Sequence, residues 1–164
     1  VADIVTISLV DPNSLAVAES KTGALMIDGN LSVTFTTITS GSSYYIKVNH
    51  RNSIETWSAN PVLFNGPTSY DWTTAPTQAY GLNLTEVEPN IFAIYSGDIA
   101  DANLGVGYQD GVIESTDYSE MENAVTQITV GYVPQDITGD GVVESTDYSI
   151  MENAVTAIVF SIHP

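Results

Sequence analysis

DITGDGVVESTD, residues 136–147, is the stretch from which the C-terminal part of this chain can be read. Oxygen-bearing side chains fall at places one, three, five, nine and twelve: Asp136, Thr138, Asp140, Glu144 and Asp147. Gly141 stands at place six. Calcium is a hard cation that takes roughly six to eight oxygens, and a glycine at the sixth place permits the sharp turn that wraps a loop around it. The carbonyl of Val142, at place seven, is the expected backbone ligand. Val143, at place eight, is apolar and suits a short strand pairing with a sister loop.

A sister loop is present. Residues 110–126 read DGVIESTDYSEMENAVT and residues 140–156 read DGVVESTDYSIMENAVT, an offset of 30 with differences only at Ile113/Val143 and Glu120/Ile150. Repetition this close marks a duplicated unit. In the first copy Asp110, Val112, Glu114 and Asp117 keep their places, but places one and three fall on Val106 and Tyr108, which cannot ligate through their side chains. An insertion is therefore expected, with Asp98 as the first ligand, Asp101 or Asn103 as the third, and residues 104–109 looped out. Each loop leads into a short amphipathic helix. Tyr118, Met121, Ala124 and Val125 share one face, as do Tyr148, Met151, Ala154 and Val155. Ser115, Thr116, Ser145 and Thr146 are residue types that cap helix N-termini, and Asp117 and Asp147 favour the positive helix end.

Carried by the two DG[VI][VI]ESTD cores and their near-identity, the region from about residue 96 to 164 resembles dockerin modules, the paired calcium loop-helix units of bacterial surface and cellulosome proteins. The resemblance implies two bound calcium ions in EF-hand-like loops. It also implies that Ser115, Thr116, Ser145 and Thr146 contact a cohesin partner; the alternative is that they only cap the helices. The chain departs from the family in the insertion, in Thr138 where asparagine is favoured, and in helices without lysine or arginine.

Charge points the same way. The chain has 20 acidic and 3 basic residues, for a net charge of −17, and no lysine or arginine follows Arg51. Such self-repulsion opposes a compact state unless cations offset it. Nucleic-acid binding does not fit this charge. With no cysteine, disulfide scaffolds and thiol chemistry are excluded. No apolar run is long enough to span a membrane, so no membrane insertion is expected. The start at Val1, without methionine, suggests a processed or excised fragment. Millimolar calcium outside cells suits weak loops, and an extracellular or cell-surface location is expected.

The N-terminal part, residues 1–95, is rich in short alternating segments punctuated by turns: 1–10, 15–18, 24–27, 32–39, 43–50, 54–58, 62–64, 69–73 and 91–95. This pattern predicts a β-sandwich. The run VTFTTITSGSSYYIKV, residues 33–48, resembles prealbumin-like and Cna-B-like sandwiches, and YYIKVNHRNSIETWS, residues 44–58, resembles domains near the C-termini of Bacteroidota-type extracellular proteins. The expected fold is thus mainly β, a sandwich over 1–95 packed on a small dockerin-like α unit over 96–164.

Two further sites come into view. His50, Arg51, Asn52, Glu55 and Trp57 make the one cluster resembling a catalytic or sugar site, with Asp71 as second carboxylate; the competing reading is a strand-end turn with Trp57 in the core. Trp57, Trp72 and the tyrosines are candidates for stacking on a glycan. The expected function is a non-enzymatic, calcium-binding structural module for protein–protein assembly, with itself or with a larger surface protein. One route is donation of strand 1–10 to a neighbouring sheet. The alternatives are a cohesin anchor and a carbohydrate-binding module.

Overall fold

A computed structural model describes residues 2–164, with Asn153 as backbone only; Val1, which begins the first expected strand, lies outside them. The chain is mainly β with two C-terminal helices. It divides into two compact units, one comprising the residues up to His50, Glu55–Ile94 and Ile162–Pro164, the other Arg51–Ile54 and Tyr95–Ser161.

The first unit is built on a five-stranded sheet. Strands β1 (Asp3–Val10), β2 (Val17–Leu25), β3 (Ser42–His50) and β4 (Ser53–Trp57) lie in the order β2-β1-β3-β4, and β5 (Val62–Phe64) pairs with the start of β3. Alternation on β3 sends Tyr44, Ile46 and Val48 into the interior, as period-two patterning requires. Leu9 stands opposite Ile46, and Phe35, Ile38, Val62, Phe64, Tyr70 and Trp72 pack against Leu9, Tyr44 and Ile46. Between β1 and β2 the polar face carries Ser8 to Ser20, a hydroxyl contact of 2.7 Å.

Three expectations about strands need correcting. Strand β1 is central, paired on both sides with β2 and β3, so it is not free to be donated. Residues 15–18 and 24–27 are not two strands around a polar link, because β2 runs unbroken from Val17 to Leu25. Residues 32–39 and 69–73 form no strand. In the first of these the N–H groups of Thr36 and Thr37 donate to the Glu19 carboxylate at 2.8 and 2.7 Å, and the Thr37 hydroxyl donates at 2.8 Å. A side chain thus takes donors that a strand would give to a ladder. The Thr37 N–H chiefly, with Lys21 also helping, holds Glu19 down to about 2 against the cost of burial. Two short strands, β6 (Thr85–Glu88) and β7 (Ile91–Ala93), form a separate antiparallel ribbon.

In the second unit, β8 (Ala100–Asp101) and β9 (Gly105–Val106) form a hairpin ahead of β10 (Val112–Ile113). The helices are α1 (Ser115–Gln127) and α2 (Ser145–Ala157), followed by β11 (Val159–Phe160). Met121, Ala124 and Met151 meet Ile99, Ala100 and Val143 in the core, and the rings of Tyr118 and Tyr148 lie 4.9 Å apart. Gly97, at φ +132, leaves no room for a side chain: a Cβ there would sit 2.9 Å from Ile113 Cγ2 and 3.2 Å from Met151 Cγ.

The loops do not pair with each other, contrary to expectation. Val112 and Ile113 pair with Phe160 and Val159, the strand after α2. Val142 bridges to Val130, and the Val143 N–H donates to Thr129 O at 2.8 Å, the chain after α1. These are corresponding pairs under the 30-residue offset. Each loop is therefore strapped by the chain leaving the other repeat's helix.

Residues 51–54 belong here because they pair with 95–97. Ile54 N–H donates to Tyr95 O, Gly97 N–H donates to Asn52 O, and Ser53 bridges Ser96.

Candidate metal centre

The second loop turns on Asp136, which is 2 % exposed. Its Oδ1 accepts from Gly139 N–H at 2.9 Å and Asp140 N–H at 3.1 Å, and its Oδ2 accepts from Gly141 N–H at 3.1 Å. Positive φ at Gly139 and Gly141 (+75 and +89) lets these N–H groups converge, a conformation glycine adopts at little cost. Asp140 Oδ1 accepts from Val142 N–H at 2.9 Å. Thr138 is exposed, with its hydroxyl 3.5 Å from Asp136 Oδ1. Asp147 is fully buried and clips the loop's two ends together, taking Thr138 N–H on Oδ1 at 2.8 Å and Glu144 N–H on Oδ2 at 3.0 Å.

The first loop repeats three of these arrangements. Asp98 Oδ2 accepts from Gly111 N–H at 3.2 Å, as Asp136 does from Gly141. Asp110 Oδ1 accepts from Val112 N–H at 3.0 Å. Asp117, fully buried, takes Ile99 and Ala100 N–H on Oδ1 and Glu114 N–H on Oδ2. The other two candidates behave differently. Asp101 lies on β8 and closes its own turn, accepting from Asn103 and Leu104 N–H at 2.7 and 2.8 Å, and Asn103 is exposed at the hairpin tip.

The helix caps differ from the reading of serine and threonine as N-caps. The N-cap residues are Glu114 and Glu144, each in a capping box with the aspartate three residues on. Ser115 and Ser145 are the first helical residues. The ESTD motif holds two carboxylates at the box spacing, and these take the capping roles. Ser115, Ser145 and Thr146 remain exposed, while the hydroxyls of Thr116 and Thr146 donate to Glu114 and Glu144 at 3.4 and 3.2 Å.

Sequence reading missed residues that hold the loops from outside. Arg51 Nη1 donates to Val133 O and its Nη2 to Asp136 O at 2.8 Å, Asn52 Nδ2 donates to Asp136 O at 3.2 Å, and Tyr132 stacks on the guanidinium at 4.5 Å. Gln109 Nε2 donates to Ser53 O and Asp98 O, both at 2.8 Å. One signal was available: Arg51 is the last basic residue before a long acidic tail.

Among the described residues no three histidine, cysteine, aspartate or glutamate side chains gather into a group that holds a metal by themselves, because the loop carboxylates are turned onto backbone N–H groups. One atom meets the test for a cation partner. Asp98 is 1 % exposed, and its Oδ1 is buried with no hydrogen-bond partner. Burial, then the charges of Asp117 and Asp110, push the Asp98 carboxyl up to about 7; burial raises Asp117 too. Buried carboxylates of like sign resist ionisation, and a divalent cation among them reverses that penalty.

The remaining sequence candidates each have partners in the fold. Glu55 accepts from Asn49 Nδ2 at 3.0 Å and Trp57 Nε1 at 2.7 Å, and pairs with Lys47 at 3.0 Å. Burial pushes it up, but these partners outweigh burial and hold it below its ordinary value. Trp57 is buried against Tyr45, with the His163 ring 5.8 Å away. Trp72 packs on Tyr70 at 4.9 Å, His50 pairs with Asp3 at 2.9 Å, and Asp71 accepts from Thr73 within its own turn.

Comparison with known proteins finds no family model that matches the chain, and no curated protein or solved structure that matches it significantly.

Proposed function

We propose that this chain is a calcium-stabilised, non-enzymatic structural module of an extracellular or cell-surface protein, with two dockerin-like calcium loops in its second unit. The observation that carries the reading is the buried, unpartnered Oδ1 of Asp98 within a loop whose duplicate makes the corresponding aspartate–glycine hydrogen bond, Asp136 to Gly141. Asp98, Asp110, Glu114, Asp117 and the Val112 carbonyl would hold one ion. Asp136, Thr138, Asp140, Glu144, Asp147 and the Val142 carbonyl would hold the other. Calcium supplies charge neutralisation and fixes each loop onto its helix. The first unit is, in this reading, a β-sandwich in which residues 31–39, with Phe35 and Ile38 laid over Leu9, Tyr44 and Ile46, stand in the second layer.

The role is assembly with a protein partner or with further copies of the chain. Exposed Ile128, Val130 and Tyr132 beside the second loop, and Ile158 and Phe160 beside the first, give each loop an apolar rim, and such rims favour protein contacts. A cohesin-type anchor through Ser115, Thr116, Ser145 and Thr146 is the second reading, favoured by the exposure of Ser115, Ser145 and Thr146 at the helix starts.

The test is calcium titration of the chelator-stripped chain by calorimetry, with a thermal melt at each end point. Two ions bound and a rising melting temperature are expected, since a ligand that binds only the folded state stabilises it by mass action. Absent heat and an unchanged melt would sink the reading. Light scattering in calcium and then in chelator reports whether assembly follows the ion.

A further inference from the structure

Resting on that reading, we infer that the two loops are inequivalent toward the cation: the second is closed by its own backbone, and the first is completed by the ion. The matched cores give no hint of this, because residues 110–117 and 140–147 differ only at Ile113/Val143. The difference lies in what precedes them. In the second loop Gly139 and Asp140 directly follow Asp136 and Thr138, and their N–H groups bind Asp136 Oδ1 at 2.9 and 3.1 Å. In the first loop that stretch is replaced by the β8–β9 hairpin, which is tied to itself. Ala100 pairs with Val106, Asp101 with Gly105, and Gly107 N–H donates to Ile99 O at 2.8 Å. Gln109, immediately ahead of Asp110, points its amide at the carbonyls of Ser53 and Asp98 rather than at the carboxylate. Gln109 thus stands where Gly139 does and that donor is lost, while the Asp110 N–H, counterpart of the Asp140 N–H, still acts on the Asp98 carboxyl without making a close hydrogen bond to Oδ1. Asp98 keeps Gly111 N–H on Oδ2, while Oδ1 is buried without a hydrogen-bond partner.

An unsatisfied buried carboxylate oxygen costs far more than an unsatisfied neutral group. Without a cation the first loop relieves that cost by opening. Opening releases its strap as well, since β10 is paired to β11 and Ser161 N–H donates to Gly111 O at 2.7 Å. The second loop has no such debt.

Amide hydrogen exchange on the full chain, read residue by residue by NMR in chelator and then in calcium, tests this. Gly139, Asp140 and Gly141 are expected to be protected in both conditions. Gly111, Ile113 and Ser161 are expected to gain protection of about tenfold or more on adding calcium, as local opening is suppressed. In Asp98→Asn the calcium effect on Gly111, Ile113 and Ser161 disappears, while Gly139, Asp140 and Gly141 are unchanged. Equal gains in both loops, or gains in the second loop at lower calcium than the first, overturn the inference while leaving the loops as calcium sites. Calcium that alters neither loop, with no heat in calorimetry, overturns the calcium reading and the inference with it.

Discussion

Asp98→Asn, studied in chelator, is expected to stabilise the protein at neutral pH and to abolish a pH dependence of unusual sign. The Asp98 carboxyl is pushed from 3.8 up to about 7 by burial and by Asp117 and Asp110. A folded-state value above the unfolded one means that the folded chain binds more protons between the two, so stability falls as pH rises through that window. The penalty is absent below about pH 4, grows up to about pH 7 and is full above it. At about 1.4 kcal/mol per pH unit of displacement, the ceiling is about 4 kcal/mol. Asp110 beside it is exposed, so solvent screens part of the repulsion, and roughly 2 kcal/mol is the working figure. For a chain of this size that corresponds to roughly 4–8 °C in melting temperature. Far-UV circular dichroism of the helices is the readout. Wild type in chelator should melt higher at about pH 5 than at about pH 8 relative to Asp98→Asn, and at about pH 8 the variant should melt higher than wild type by that amount. In excess calcium the order should reverse, because the variant has lost a ligand. A wild-type minus variant difference that is flat across the pH range in chelator refutes the reasoning.

Ile128 and Ile158 close their helices in the left-handed region, at φ +52 and +49, and are 70 % and 54 % exposed. Ile128→Gly should therefore raise stability by about 1 kcal/mol in urea unfolding, since the strain is relieved and little packing is lost. Met151→Ala, at a fully buried position against Gly97 and the α1 core, should cost about 2–5 kcal/mol by the same assay. The Glu19 carboxylate is held down to about 2, so its stabilisation is present above about pH 4.5 and lost as pH falls toward 2. Pepsin cleavage within residues 31–39 should appear across that window, and Glu19→Ala should bring it to higher pH. Replacing Ser115, Thr116, Ser145 and Thr146 together by alanine should remove cohesin-type binding in a pull-down, with a loss of stability that stays small because the caps are Glu114 and Glu144.

What the sequence made legible was whatever is written locally. Alternation on β3 and the spacing of Met121 and Ala124 along α1 depend on the residues themselves, and both faces fall where the periods put them. The errors arise where a distant group takes over a local role. Residues 32–39 alternate as a strand does, yet Glu19, 17 and 18 residues away, claims the N–H groups of Thr36 and Thr37. Residues 50–52 read as a strand-end turn within the 1–95 β-sandwich, yet Arg51 donates to carbonyls 82 and 85 residues further on. Serine and threonine looked like caps by type, but ESTD carries two carboxylates at capping-box spacing, and their charge-assisted hydrogen bonds to backbone N–H groups are the stronger ones. The duplication supplies its own control. Residues 110–126 and 140–156 stay matched but for two positions, and the match is lost after Thr126 and, on the other side, in the segment before Asp110. That segment contains the buried oxygen whose counterpart in the other copy is satisfied. The break in the repeat before Asp110 therefore marks where the two loops differ in how their first aspartate is satisfied.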